Sequence, residues 1–472
     1  MAVIKTFMTP GGMYVYDRET NSILSVSKDE FAVCQKIEAG NDTSADWEAL
    51  KRLTQHGYLK ESSLQWIEHS ATSLMRYFLD SGVTQLTLQC DQRCNLACLY
   101  CTYSGNYENQ RTHSNLSMSL DMMKKGVDFL MSRSRNVKEV ALGYYGGDPL
   151  LQFENIKKLV AYVKEEYQGR RVRHTMTTNG TLFNDEILTF LQENNFNVSI
   201  SLDGPKFLHD QNRVFPDGSG SFDIIMENVM YIREAYPKLY ENVMFLSTVA
   251  PGVDFACVND FYNAEDVLAD GRVMQNMVVD HGAKEPVIYD DLYNTTYTYN
   301  QMKVLLSALG LYSKEKISKL FSTGLSNAVM MHKHLSIVKM PERAHPSGPC
   351  IPGVLRPIID VHGHIYPCER VSEYDTMKIG HIDSGFDLDK ALTILNVGKM
   401  TEDECKNCWS FSHCGLCAAA CDGDGGLTRE ARLNNCNRVM AGTIDTFATI
   451  CLLLENGYDF EKKTTIGGVS HE

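Results

Sequence analysis

The chain has no long apolar run. Its longest mostly apolar stretch, 447–454, falls far short of the ~20 residues that a membrane-spanning helix needs. It also shows no secretory leader, because the first seven residues carry only a short apolar patch before Pro10-Gly11-Gly12. Positive charge is scarce: 45 Lys and Arg against 59 Asp and Glu leave a net charge of −14. That balance argues against nucleic acid or an anionic membrane as partner and would suit a basic peptide segment. A cytoplasmic protein is expected. In that reducing compartment the fifteen cysteines point to metal or catalysis, not to disulfides.

At 472 residues, with 43% apolar and 22% charged content, the chain has room for two or three domains with sizeable cores. The cysteines fall into groups. Cys94, Cys98 and Cys101 form one; Cys350, Cys368, Cys405, Cys408, Cys414, Cys417, Cys421 and Cys436 form another. Cys34, Cys90, Cys257 and Cys451 stand apart and read as ordinary core residues. The first group is a C-x3-C-x2-C run. Three thiolates leave a structural zinc site one ligand short, whereas a cubane iron–sulfur cluster held by three cysteines keeps one iron open. A zinc loop with a distant fourth ligand is the alternative.

Residues 1–65 read as a separate unit. Two β-prone runs, 13–16 and 23–26, flank a polar turn, a hairpin signal. Ser27 then precedes a helical pattern ending at Gly40, a second helix is expected over 44–55, and Tyr58-Leu59 is expected to return as a strand. A helical bridge is expected over 64–79. From Thr84 strands alternate with helices, the pattern of a parallel sheet. Six strands are expected, over 85–89, 140–145, 174–178, 197–202, 244–249 and 273–279. Ser119 and Asn184 cap two of the intervening helices. Six units cannot close an eight-stranded barrel, so an open partial (β/α)6 barrel follows, with chemistry at the C-terminal strand ends. The first cysteine loop lies just after strand one. Gly146-Gly147-Asp148-Pro149 follows strand two, Thr177-Thr178-Asn179-Gly180 ends strand three, and strand four alternates Val198, Ile200 and Leu202 with Ser199, Ser201 and Asp203. Residues 281–345 carry no readable cluster, though Leu305, Leu306, Leu309 and Leu311 suggest a helix.

With Tyr100 directly before Cys101, the first cysteine run resembles the radical S-adenosylmethionine (SAM) signature, and the three strand ends follow in that family's order. The resemblance implies a SAM-binding 4Fe–4S cluster on Cys94, Cys98 and Cys101. It implies SAM contacts from Tyr100, from Gly146, Gly147 and Asp148 (Asp standing where the family has Glu), from Asn179, and from Ser201 and Asp203 toward the ribose. The C-terminal pattern, Cys350-x12-Gly363-x4-Cys368, then Cys405-x2-Cys408-x5-Cys414-x2-Cys417-x3-Cys421 and Cys436, resembles the SPASM extension of radical SAM peptide maturases. That extension holds two auxiliary 4Fe–4S clusters, three in all. Residue 418 is Ala where the family has Cys. By the family pattern Cys405, Cys408, Cys414 and Cys436 hold the outer cluster, and Cys350 and Cys368 hold the inner one with Cys417, Cys421 or both. By spacing alone, two four-cysteine zinc sites fit almost as well. The front unit resembles a PqqD-like, winged-helix-like domain that captures a leader peptide as an added strand; a purely structural role is the alternative.

The resemblance implies an α/β protein with a recognition domain at 1–65, a bridge at 66–83, the barrel at 84–310, a linker at 311–344, the SPASM domain at 345–456 and a tail at 457–472. It is closest to thioether-forming sactipeptide and ranthipeptide synthases, partly through Trp409. The implied substrate is a Cys-containing precursor peptide with a leader, and the implied reductant is flavodoxin- or ferredoxin-like. A carbon–carbon cross-linking maturase shares every module. An anaerobic sulfatase maturase, forming formylglycine, shares barrel and clusters. No catalytic residue or general base is singled out.

Overall fold

The computed structural model describes the chain except residues 1, 42–46, 109, 269–270, 279, 281, 318, 336–338, 347–349, 462–464, 467–468 and 471–472. Three strands open the chain and pair antiparallel in the order β1 (Ile4–Met8), β2 (Met13–Asp17), β3 (Ser22–Val26). Asn21 takes the left-handed conformation in the β2–β3 turn (φ 51°), a conformation that Asn tolerates. The helix Lys28–Glu38 starts at a capping box. Ser27 accepts from the Glu30 N–H and Glu30 accepts from the Ser27 N–H, so two otherwise orphaned donors are satisfied. Ile4, Val15, Phe31, Cys34, Leu50 and Leu53 close a small core of their own. The expected strand at Tyr58-Leu59 does not form; Leu59 has φ 60°, and the third strand is instead β1. Residues 44–46 of the expected second helix lie outside the described residues, and the rest is a 3-10 turn, Trp47–Leu50, with the short helix Lys51–Gln55. The bridge is helical only over 72–81, a 3-10 turn (Thr72–Leu74) running into the helix Met75–Ser81, and carries a two-residue strand, β4 (Trp66–Ile67).

Six parallel strands follow in sequential order: β5 (Gln85–Asp91), β6 (Glu139–Gly146), β7 (Arg171–Thr178), β8 (Asn197–Ser201), β9 (Val243–Val249) and β10 (Arg272–Met277). They match the expected strands, with Val279 of the sixth outside the described residues. Helices Leu120–Ser132 and Asp185–Glu193 begin where expected: the Ser119 side chain accepts from Met122 N–H and that of Asn184 from Ile187 N–H. Val198 and Ile200 are buried in the core with Val127, Leu159, Leu188 and Val229 of the covering helices. The alternate residues Ser199 and Ser201 therefore face the concave side. In register Ser199 lies between Thr177 and Met244, and Ser201 opposite Leu246.

The sheet does not stop at β5. After β11 (Arg343–Ala344), which pairs with β4, the strand β12 (Ile358–Ile359) adds parallel to β5. The strands β13 (His364–Tyr366), β14 (Gly380–His381) and β15 (Gly385–Phe386) then continue antiparallel, giving ten strands in one sheet. The expected division between barrel and C-terminal domain is thus bridged by hydrogen bonds. The stretch expected as a linker, 311–344, carries the helix Ser322–His334, which packs on the long helix Cys436–Glu455 and buries Leu325, Ala328 and Val329. Among the described residues no helix is long and apolar enough to cross a membrane.

The N-terminal unit docks on the C-terminal region. Tyr16, fully buried, sits 4.6 Å from Phe447 and edge-on to Trp409 and His413. Arg18, also fully buried, donates to the Lys406 and Cys408 carbonyls at 2.6 and 3.2 Å.

Two histidines buried beside the sheet set an acid limit. Burial, helped by Lys164, holds the His174 imidazole down to about 4; burial and Arg213 hold His209 down to about 3. Between these values and the ordinary 6.5 the unfolded chain binds protons that the folded chain does not, so stability is lost as pH falls through this window. Stability to urea should therefore decline from pH 6.5 toward 4. His174→Phe should flatten that slope by up to about 1.4 kcal/mol per pH unit. An unchanged slope in the variant would show that His174 does not contribute.

Candidate active site

The cysteine loop is fastened to the end of β6 by direct backbone contact. Gly147 N–H donates to Asp91 O (2.7 Å) and Asp148 N–H to Arg93 O (3.0 Å). A Cβ at Gly146, whose φ is +134°, would lie 2.1 Å from Asp91 O; one at Gly147 would lie 1.9 Å from Arg93 O. Only glycine permits this approach. The glycine pair thus admits the close approach of the chain that carries Cys94.

Asp148 is buried and braces β6 to β7. Its carboxylate accepts from Thr178 Oγ1 (2.8 Å), Asn179 N–H (2.8 Å) and Leu150 N–H (3.0 Å), and burial raises its pKa to about 6 against those bonds. Asn179 reaches the cysteine loop. Its Nδ2 donates to Asn95 Oδ1 at 2.8 Å and lies 3.8 Å from the Cys94 sulfur, while its Oδ1 accepts from Thr181.

On the other flank Tyr100 donates its hydroxyl to Asp203, whose second oxygen accepts from Thr248 N–H (3.0 Å) and faces Arg213 Nε at 3.0 Å. The Arg213 guanidinium lies over the Tyr100 ring, 5.4 Å from its centre. His209 secures the group from behind. Its Nδ1 accepts from Asp203 N–H (3.2 Å), and its Nε2 donates to Ser221 Oγ (3.0 Å), which in turn donates to Arg213 O. Burial raises the thiols of Cys94 and Cys101 to about 12 and about 11, and each also feels its cysteine neighbours; Arg213 opposes the rise at Cys98. The structure thus brings together Cys94, Cys98, Cys101, Tyr100, Gly146, Gly147, Asp148, Asn179 and Asp203, with Ser201 on the same face of β8.

Sequence reasoning missed Arg213 and His209. Their signal was an i, i+4 pair shortly after Asp203, one face of the helix Lys206–Asn212 and its cap.

The C-terminal thiols fall into two neighbourhoods. Burial raises Cys408 to about 12, with Cys414, Cys405 and Cys436 adding to it; burial likewise raises Cys436, with Cys414 and Cys405 adding. Burial raises Cys368 to about 12 with Cys417 nearby, and Cys421 to about 11 with Cys417 and Cys414 nearby. Cys350 is exposed. All fifteen cysteines are free thiols, and Cys34, Cys90 and Cys451 are buried core residues as expected. Among the described residues no three His, Cys, Asp or Glu side chains converge closely enough to hold a single ion.

Residues 90–264 match the Radical SAM superfamily profile, so the cysteine loop and the strand ends around it lie within that superfamily's segment. The chain is 32% identical over 142 residues (30% of this chain, 34% of the relative) to the serine-type anaerobic sulfatase-maturating enzyme of Bacteroides thetaiotaomicron. It is 23% identical over 345 residues (70% of this chain, 85% of the relative) to the cysteine-type anaerobic sulfatase-maturating enzyme of Clostridium perfringens. The chain spans about a third to just over half the length of the curated relatives that it matches at 30% identity or more. In fold it is similar to native anSMEcpe with bound AdoMet, with a TM-score of 0.57 at 19% identity, covering 79% of this chain and 100% of that one.

Two substitutions test this geometry. Gly147→Ala should force the cysteine loop away from β6, cost about 1–3 kcal/mol and speed alkylation of Cys94, Cys98 and Cys101 in the metal-free protein. Wild-type alkylation rates would contradict the contact. Arg213→Met should cost about 3–5 kcal/mol by stranding the buried Asp203 charge, whereas Arg213→Met with Asp203→Leu should cost less. Urea titrations of the single and double variants decide it.

Proposed function

We propose that this chain is a radical SAM peptide maturase that joins a cysteine sulfur to a carbon within a ribosomally made precursor peptide. The observation that carries the radical reading is the set of three neighbouring thiols at the C-terminal ends of a six-stranded parallel sheet, braced from β6, β7 and β8. Two buried arginines with orphaned N–H groups beside the C-terminal thiols favour a partner rich in sulfur acceptors there. In this reading Cys94, Cys98 and Cys101 hold one 4Fe–4S cluster, Cys405, Cys408, Cys414 and Cys436 a second, and Cys368, Cys417 and Cys421 with Cys350 a third. When bound, the first cluster and SAM would supply a 5′-deoxyadenosyl radical that takes one hydrogen atom from the substrate carbon, and closing the sulfur–carbon bond would then release the thiol proton and one further electron, for which an auxiliary cluster is a suitable acceptor.

The chain's own residues hold and orient. Asn179 and Asn95 steady Cys94; Asp203, fixed by Arg213, His209 and Thr248, keeps Tyr100 against the loop; Gly146, Gly147, Asp148, Ser201 and Asp203 line the rim offered to SAM.

The peptide reading rests on the N-terminal sheet. β3 pairs only with β2 among the described strands, and its outer edge is the one on which an added leader strand would pair in this reading. The Ser25 carbonyl on that edge accepts from Arg52, so it points away from β2. The structural neighbour has also been solved with a peptide bound, which favours a peptide substrate here. We place the protein in the cytoplasm, with a flavodoxin- or ferredoxin-like donor. A second reading, formylglycine formation in a sulfatase, is favoured by the similarity to the Clostridium perfringens enzyme over 85% of that enzyme's length.

Anaerobically reconstituted protein should carry about twelve irons, three cubanes of four each. Replacing Cys94, Cys98 and Cys101 with Ala should remove about a third and abolish SAM cleavage. Ser25→Pro should spare SAM cleavage but impair modification of a leader-bearing peptide. Tandem mass spectrometry of the product decides between readings: a cysteine that resists alkylation, in a peptide lighter by two hydrogens (about 2 Da) per bond, supports the thioether, while an aldehyde identifies the sulfatase reading. Stoichiometric zinc with little iron would overturn the radical reading.

A further inference from the structure

Two arginines are buried where charge is expensive. Arg432, 1% exposed, donates Nε–H to Thr401 Oγ1 (2.9 Å) and Nη1–H to Leu416 O (3.2 Å) and the Cys421 sulfur (3.4 Å). Its Nη2 makes no hydrogen bond of regular geometry, and the same guanidinium reaches Cys414 and lies within the field of Cys405. Thr401 Oγ1, its first partner, is itself 3.2 Å from the Cys405 sulfur. Arg432 thus stands between the two C-terminal thiol neighbourhoods.

Arg111, 2% exposed, comes from the segment that follows the first cysteine loop. Its Nη1 donates to the carbonyls of Glu369 (3.1 Å) and Val371 (2.9 Å), and it lies over the Tyr366 ring at 4.8 Å. Those partners straddle Cys368. Nε and Nη2 have no hydrogen-bond acceptor among the described residues; the Glu373 carboxylate, partly exposed, pairs with Nε at 3.6 Å.

Burying a guanidinium without a full set of acceptors costs several kcal/mol. At both sites the guanidinium keeps orphaned N–H groups while lying in the field of cysteine sulfur, Cys405 and Cys414 at Arg432 and Cys368 at Arg111. A sulfur-rich anionic cluster supplies the acceptors that both lack. Reduction of such a cluster adds one negative charge, and a fixed cation in a low-dielectric setting favours the reduced form.

We propose that Arg432 and Arg111 are positioning residues for the auxiliary clusters, each giving its spare N–H groups to cluster sulfur and holding that cluster's reduction potential up. The inference rests on the assignment of auxiliary clusters made above. It adds a division of labour, because one arginine reaches its cluster from within the C-terminal region and the other from the barrel's cysteine-bearing loop.

The test uses the full chain with Cys94, Cys98 and Cys101 replaced by Ala, so that only the auxiliary clusters report. Arg432→Gln, Arg111→Gln and the corresponding Lys variants are reconstituted anaerobically, assayed for iron and sulfide, and titrated redox-potentiometrically by electron paramagnetic resonance. The parent should hold about eight irons. Each Gln variant should keep its iron and show at least a ten-fold lower reduced-to-oxidised ratio at the parent midpoint, a fall of about 59 mV for one electron. The Lys variants, which keep the charge and give up the fork, should stay near the parent value. Should a Gln variant fail to load, its Lys counterpart carries the test, since a potential near the parent's supports the role and a ten-fold fall overturns it. Eight irons with unmoved midpoints in the Gln variants overturn the proposal alone, as does a Lys variant that falls as far as Gln. A parent without iron overturns the proposal together with the auxiliary-cluster assignment.

Discussion

The site depends on one close backbone contact, the end of β6 pressed against residues 91–94. Two consecutive residues without side chains let the Gly147 and Asp148 amides reach the carbonyls of Asp91 and Arg93. Everything on the rim takes its bearing from that seam. Asp148 carries the fixation onward to β7, Asn179 carries it back to Cys94, and the opposite flank is closed by Tyr100 on Asp203. The loop that holds Cys94, Cys98 and Cys101 is therefore braced from three strands. A site of this kind is precise because its supports are rigid elements and not other loops.

Electrostatics divides the molecule in a similar way. Net charge is strongly negative, yet the cations that matter are buried singly: Arg213 beside Cys98, Arg432 among the C-terminal thiols, Arg111 beside Cys368, and Arg18 against the carbonyls of Lys406 and Cys408. Each arginine is held by its fork to backbone or carboxylate oxygen and lies close to a cysteine. Lysine could not be held in the same way, because its point charge lacks the planar fork.

The barrel was legible because its strands alternate cleanly. Val198, Ile200 and Leu202 against Ser199, Ser201 and Asp203 specify both the strand and its wetted face, and helix caps such as Ser119 and Asn184 mark helix starts locally. The thiol groups were legible from spacing. What escaped was set by partners far away in sequence. β1 was not recognised because Ile4–Met8 has no turn signal of its own and is defined by β2. The helix Ser322–His334 is stabilised by the helix Cys436–Glu455, some hundred residues on, so its own pattern was weak. Arg111 and Arg432 look like ordinary surface charges until the fold closes over them. Their role comes from burial, which a linear pattern does not encode.

The addition of β12 to β5 bears on how the chain is made. β5 is the first strand of the barrel to leave the ribosome, and its partner on that side, Ile358–Ile359, emerges about 270 residues later. Throughout that interval one edge of the nascent sheet is uncovered, with Leu86 and Leu88 behind it. Covering it requires the same segment that carries Cys368. Synthesis therefore leaves the barrel open-sided until the C-terminal cysteines arrive, and a chain truncated before β12 exposes a ready template for pairing with its neighbours.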